Sequence, residues 1–469
     1  MPPPANKTKI VATIGPSCGT PEMVSAMLAA GMNVARLNFS HGDFDSHAAT
    51  IEMLREVAAQ EGRRLALMAD LPGPKIRIGE LAAPIELGAG DRITLTTESH
   101  VGEFDRISVN FPGLPKAVKP GDKLFLNDGL ISIKVLEVRG SEVYCEVRAG
   151  GELSSRKGLD LPGIDLGISA FTERDHECME FALNQGIDAI SQSFVSCAAD
   201  IQTVRNAAAE LGFSPFIVAK IERKKALEEL DAILAITDGI MVARGDLGVE
   251  LPIAQMATVQ KVIMRKANQL GCPVITATQM LESMTEHRRP TRAEATDVAN
   301  AILDGTDAVM LSAESAVGRY PVEAVSMLAE IAAATEPHRK SVATEAEHPP
   351  AGSPSAMVAW SVHQAVSNLD PVAVVVPTRS GAMARNVTRF RLPVWITAIS
   401  TEASTCQALQ FSYGVEAVQV EQERADWTSY LRNRLREQGL LAGLAVLTQG
   451  PSEAFPCGNN RLEIVNLAL

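Results

Sequence analysis

The chain has 469 residues, 46% of them apolar, and a formal net charge of −13. That length suits two or three domains with sizeable cores. The acidic balance leaves no surplus of Lys and Arg to neutralise phosphates, so a nucleic-acid partner is excluded as the main role. The seven Cys are scattered without a CxxC, which argues against a zinc site or a disulfide framework and suits a reducing cytoplasm. The opening MPPPANKTKI has no apolar signal core, and no run of about 18 apolar residues could span a membrane. The expectation is a soluble cytoplasmic protein.

Short apolar runs alternate with helical patterns along most of the chain. KIVATI ends near Thr13, NVARLNF near Phe39 and RLALMAD at Asp70. After a long interruption follow DAISQSF to Phe194, FIVAKIE to Glu222, GIMVARGD to Asp246, CPVITAT to Thr278 and DAVMLSAE to Glu314. Stretches with helical periodicity, such as PEMVSAMLAA, lie between them, and Pro252 and Pro321 stand where first helical turns begin. Eight such strand–helix units predict a closed (β/α)₈ TIM barrel, an α/β architecture built from residues 1–70 and 171–336.

Between Asp70 and Phe171 the helical period disappears. RISVNF, DKLFLNDGLISIKVLEV and EVYCEVRAG alternate in steps of two, with Asn127-Asp128-Gly129 as a turn. Residues 71–170 therefore read as a small antiparallel β-barrel domain inserted after the third strand, a lid over the barrel's carboxyl-end face. Beyond about residue 337 comes KSVATEAEHPPAGSPSA, polar and linker-like, then VAVVVPT, PVWITAIS, VEAVQV and LAVLTQG. Residues 337–469 read as a C-terminal open α/β domain with a regulatory or oligomerisation role.

Catalytic groups of a (β/α)₈ barrel come from the carboxyl ends of its strands. Here those ends carry Thr13, Arg36, Asn38, Asp70, Ser193, Lys220, Glu222, Asp246, Thr278, Ser312 and Glu314. For the hydroxyl residues, a strand simply turning polar as it leaves the core is the plain alternative. Lys220, Glu222 and Asp246 each follow a run of apolar residues, where an unpaired charge is costly, so the alternative for them is a structural ion pair. Lys220 and Glu222 are two apart on one strand and project from one face. Glu222 and Asp246 supply two hard oxygen ligands, suited to Mg²⁺ or Mn²⁺ with positions left open for waters and substrate. A fixed cation beside a fixed dication suits a reaction that develops negative charge, such as phosphoryl transfer or enolate formation. The Gly245 and Asp246 N–H groups, helped by the Thr278 hydroxyl, could hold a substrate carboxylate. Arg36, Arg77 and Lys157 suit phosphate oxygens, although for Lys157 a solvated surface cation is the alternative. Neither GxxxxGK[ST] nor GxGxxG occurs.

The motifs TKIVATIGPSC, GMNVARLNFSHG, VAKIER, IMVARGDLGVE, ITATQMLESM, RPTRAEATDVANAILDGTDAVMLSAESAVGRYP and VVPTRSG together resemble the pyruvate kinase family. The likeness runs from about Lys9 to the C-terminus and is weakest in the inserted domain. It implies transfer of a phosphoryl group from phosphoenolpyruvate to ADP, giving pyruvate and ATP, the last step of glycolysis. It implies that Lys220 neutralises the migrating phosphoryl and the enolate, that Glu222 and Asp246 hold Mg²⁺, and that Gly245, Asp246 and Thr278 clamp the carboxylate. Arg36 resembles the family's phosphate-binding Arg, with Arg77, Lys157, Asn38 and His41 on the nucleotide side. Asn38, Ser40 and Asp70 resemble its monovalent-cation ligands. Thr278, Ser312 and Glu314 could relay a proton to the enolate through water.

One departure stands out. Where many relatives have Thr-Lys-Gly-Pro-Glu and need K⁺, this chain reads DLPGPKIRIG, with Leu71 and Lys75 in the Thr and Glu places. A Lys ammonium near Asp70 could supply the charge of K⁺, so independence of K⁺ is expected. In the C-terminal domain Thr378, Arg379, Ser380 and Gly381 stand between a strand and a helix, a site for a phosphorylated allosteric effector or an ordinary helix cap by Ser380. The resemblance further implies a homotetramer. Two rival readings stay open: another Mg²⁺-dependent barrel acting on pyruvate enolates, and an inactive ligand sensor on the same scaffold.

Overall fold

The computed structural model describes residues 4–127, 129–164, 166–339, 353–450 and 460–468. Most of the linker-like stretch after residue 337, and Asp128 of the expected turn, lie outside them.

Eight strands close into an all-parallel barrel, each paired with its neighbours in sequence and the last with the first. In chain order they are Lys9–Thr13, Val34–Asn38, Ala66–Asp70, Ala189–Gln192, Phe216–Ile221, Gly239–Ala243, Val274–Ala277 and Ala308–Leu311. Every strand is buried or nearly so along its length, because helices cover the outside and side chains fill the inside. The helices start where short polar side chains take up free N–H groups. Thr20, Asp43, Thr172 and Thr291 each cap the helix that follows.

Several strands stop earlier than the apolar runs suggest. Gly245 and Asp246 lie in a short helix, Arg244–Glu250, and Glu314 lies in another, Ala313–Ala316. Glu222 follows directly after Ile221, the last residue of its strand. An apolar run marks burial, not backbone conformation, so it continues through a turn that faces the barrel mouth.

The inserted domain has its own core, built on Leu95, Ile107, Leu124, Ile131, Ile133 and their neighbours. Its six-stranded sheet is antiparallel except where Arg92–Thr96 runs parallel to Arg106–Ser108. A separate antiparallel pair joins Ile85–Leu87 to Gly151–Leu153.

The C-terminal domain is a five-stranded sheet in the order Val415–Gln419, Ile396–Ser400, Ala373–Pro377, Leu444–Gln449, Arg461–Asn466. The first four strands are parallel, as the sequence reading expects. The fifth, antiparallel and at the edge, is one that reading lacks. This domain closes the amino end of the barrel. The fully buried Phe411 ring stacks on Phe216 at 4.9 Å between centroids and joins the cluster of side chains inside the barrel. Beside it, Arg391 forms a buried ion pair with Asp307 at 2.6 Å, and Lys9 Nζ donates to the Val415 carbonyl at 2.7 Å. The opposite, carboxyl-end mouth is left to the inserted domain and the polar strand ends.

Candidate active site

At the carboxyl end of the barrel four charged side chains converge. Arg36 Nε and Nη2 donate to Asp70 Oδ2 at 2.7 and 2.5 Å, and Nη1 donates to Thr13 Oγ1 at 2.9 Å. Lys220 Nζ lies 2.8 Å from Glu222 Oε1 and 3.3 Å from Asp70 Oδ1, and donates to Ser193 Oγ at 2.7 Å. Asp70 is thus the counter-ion shared by both cations. Burial raises its proton affinity, yet Lys220 and Arg36 outweigh that and hold its carboxyl below the usual range. Burial likewise disfavours the Lys220 ammonium, but Asp70, Glu222 and Asp246 together push its pKa up, so the side chain stays charged. Glu222, unlike Asp70, is raised: burial and then the nearby Asp246 push its carboxyl up despite Lys220.

Two backbone features aim these groups. Phe194 sits in the left-handed region at φ 60° and points its N–H at Glu222 Oε2, 2.8 Å away. Gly73 packs against that Phe194 ring so closely that an added Cβ would come within 2.7 Å of it, at a φ of +63° that already favours glycine. The Gly of DLPGPK is therefore fixed by sterics.

Thr278 is the second anomaly, a β-branched residue at φ 67°. Its Oγ1 accepts from the Gly245 N–H at 2.7 Å. Arg244, which the sequence reading passes over, holds this turn in place. Its guanidinium donates to the carbonyls of Ala277, Thr278 and Gln279 at 3.3, 2.8 and 3.3 Å, and to Asp297 at 2.6 Å. The only sign of this in the sequence is an Arg directly after a buried strand, which is also what a surface Arg looks like.

Glu314 is fully buried, and its two oxygens accept from the N–H groups of Leu281 and Ser312 at 3.0 and 2.8 Å. It braces the loops around Thr278 and Ser312. Asn38 Oδ1 accepts from the Ser40 N–H at 3.1 Å, and Ser40 and His41 are exposed at the rim. Arg77 and Lys157 lie on paired segments of the inserted domain, where Arg77 bridges to Gly158 and Ile78 N–H donates to Lys157 O at 2.9 Å. Lys75 lines a cavity of about 40 Å³ together with Glu222 and Asp246.

Among the described residues, no cluster of three or more His, Cys, Asp or Glu side chains could hold a metal ion. The Glu222–Asp246 pair is a two-carboxylate donor set and fits a divalent ion that takes its other ligands from water and substrate. Among the described residues, no helix is long and apolar enough to cross a membrane.

In the C-terminal domain, Gly381 at φ 77° precedes the helix Ala382–Thr388, and no side chain caps it. Ser380 is therefore not the cap. The Gly381 N–H is taken by Thr378 Oγ1 at 3.0 Å, while the Arg379 and Ser380 side chains are exposed.

Comparison with known proteins places this architecture. The family model for the pyruvate kinase barrel domain matches residues 5–325, and that for the pyruvate kinase α/β domain matches residues 356–465. A pyruvate kinase of Thermococcus litoralis is 47% identical over 88% of this chain and 88% of its own length. A pyruvate kinase of Mycobacterium tuberculosis is 39% identical over 87% of this chain and 86% of its own length. A crystal structure of a pyruvate kinase from Cryptosporidium parvum superposes with a TM-score of 0.91 at 35% identity, covering 99% of this chain and 96% of that one. With both of its domain models matched in order, and with its charged cluster at the barrel mouth, the chain belongs to the pyruvate kinase family and is an enzyme.

Proposed function

We propose that the barrel mouth transfers the phosphoryl group of phosphoenolpyruvate to ADP. The observation that carries this reading is Lys220, held charged and buried between Asp70 and Glu222, with Arg36 anchored to the same Asp70. In the reaction the bond between the enol oxygen and phosphorus breaks, and an oxygen of the ADP β-phosphate bonds to that phosphorus. The enolate left behind takes up a proton at carbon to give pyruvate. Negative charge passes between two molecules throughout, so fixed positive charge lowers the barrier. Lys220 neutralises the phosphoryl in flight and then the enolate oxygen. Arg36 holds the phosphate, and its tie to Thr13 and Asp70 keeps its position fixed. Glu222 and Asp246 would hold Mg²⁺ or Mn²⁺, which would supply Lewis-acid neutralisation of the developing negative charge.

The Gly245 and Asp246 N–H groups and Thr278 Oγ1 bind the substrate carboxylate, with the Gly245–Thr278 hydrogen bond opening toward it. Thr278, Ser312 and Glu314 relay the final proton by way of water, and Glu314 also braces both loops. Arg77 and Lys157, carried by the inserted domain, meet the nucleotide phosphates together with Asn38 and His41. Asn38, Ser40 and Asp70 form the monovalent-cation region, where the Lys75 ammonium replaces K⁺. The Thr378–Gly381 loop, with Arg379 and Ser380 exposed, takes a phosphorylated effector, the chain forms a homotetramer, and it acts in the cytoplasm. If Ser380→Asp leaves activation by phosphorylated metabolites intact, the effector site is wrong.

The test is purified protein with phosphoenolpyruvate, ADP and Mg²⁺. Pyruvate formed in proportion to ADP consumed is expected. Pyruvate without ADP, or none at all, would favour a barrel that acts on pyruvate enolates without a nucleotide, or a sensor.

A further inference from the structure

The helix Arg244–Glu250 carries more than Asp246. One turn further on, Glu250 Oε2 accepts from the Gly163 N–H at 3.2 Å, in the segment by which the chain leaves the inserted domain. Its other oxygen lies 3.9 Å from Arg223 Nε, and Arg223 Nη2 donates to the Ile164 carbonyl at 3.3 Å. Both side chains are mostly buried, at 18 and 13% exposure, so their contacts are poorly screened. The inserted domain touches the same helix a second time. At Gly129 an added Cβ would come 3.2 Å from Val249 Cγ2, which puts a turn of that domain directly on the helix.

Arg223 directly follows Glu222, and Glu250 lies one helical turn after Asp246. The two carboxylates suited to a divalent ion are therefore each tied to a residue that grips the exit segment of the inserted domain. On the reading that this site transfers a phosphoryl group, we propose that Glu250 and Arg223 are positioning residues forming a latch. The latch couples the seating of the inserted domain to the placing of Glu222 and Asp246. Neither side chain touches the reacting atoms. The latch makes the seating of the exit segment of the inserted domain and the placing of the two carboxylates one and the same state.

The test uses the full chain with Glu250→Ala, Glu250→Gln, Arg223→Ala and the Arg223→Ala/Glu250→Ala double variant. In metal-free protein, Glu250→Ala makes amide hydrogens of residues 159–164 exchange about tenfold faster, while helix Met256–Leu270 is unchanged. Mn²⁺ binding, followed by the electron paramagnetic resonance of the free ion, weakens several-fold. The specificity constant for ADP falls about tenfold or more, while phosphoenolpyruvate affinity stays within about twofold. The double variant is no worse than Glu250→Ala, because the two residues act as one unit. Glu250→Gln, which keeps an acceptor oxygen and the shape, lies between wild type and Ala. Exchange at residues 159–164 unchanged in every variant overturns the latch. So does faster exchange spread over the barrel with equal losses for both substrates, which marks a merely structural role. If the wild type makes no ADP-dependent pyruvate, the phosphotransfer reading fails by itself, and the exchange and Mn²⁺ readouts still decide the latch.

Discussion

Replacing Asp70 by Asn keeps the shape at the barrel mouth and removes the charge that Arg36 and Lys220 share. At the observed 3.3 Å, and with the effective dielectric of about 20 that describes partly wet protein sites, the Asp70–Lys220 attraction is about 5 kcal/mol. That is three to four orders of magnitude in the proton-dissociation constant of Lys220. The sign follows from the direction of the shift. The ammonium is held above its unperturbed range, so charge-dependent activity is complete on the acid side and is lost as pH rises through the folded-state value. In wild type that loss lies beyond the working range. In the Asp70→Asn variant only Glu222 and Asp246 still favour the charge against burial, so the alkaline limb moves down into reach. Turnover measured from pH 6 to 10 with saturating substrates is flat on its alkaline side in wild type and falls in Asp70→Asn. An Asp70→Asn enzyme with wild-type turnover and an equally flat alkaline side would refute the assignment of Asp70 as the counter-ion.

Thr278→Gly removes a β-branched residue from φ 67°, relieving about 1–3 kcal/mol of backbone strain. Its melting temperature rises while turnover falls at least tenfold with the loss of Oγ1; a rise in both would show that the hydroxyl is dispensable. Phe411→Ala opens a cavity against Phe216 and costs about 3–5 kcal/mol, read as an earlier thermal transition, with the substrate constants of the surviving folded enzyme unchanged. In K⁺-free, Na⁺-free buffer with Mg²⁺, the enzyme retains most of its rate; a rise of tenfold or more on adding K⁺, about 1.4 kcal/mol, would reject the role of Lys75.

The barrel is legible in the sequence because each strand is a buried apolar run followed by a polar residue, and helices separate the runs. The charged pair Lys220 and Glu222 is legible for the same reason, since a cation and an anion ending an apolar strand need a partner. The strand Arg461–Asn466 is not, because it lies at an edge with Ile464 half exposed, and its short pattern has no buried run to mark it. Arg244 and Asp297 are 53 residues apart and meet only through the fold, so their grip on the Thr278 turn has no local signal. The same holds for Phe411, whose stacking partner Phe216 lies in another domain. Ser380 reads as a cap by residue type, yet Gly381 takes that position because the backbone there needs a positive φ.

Manganese soaked into crystals of the enzyme tests the central claim most directly. The account predicts one anomalous-scattering peak per chain, within coordination distance of both Glu222 and Asp246 and adjacent to Lys220, that disappears in Glu222→Gln. No peak at that position, or a peak that survives the substitution, would contradict it.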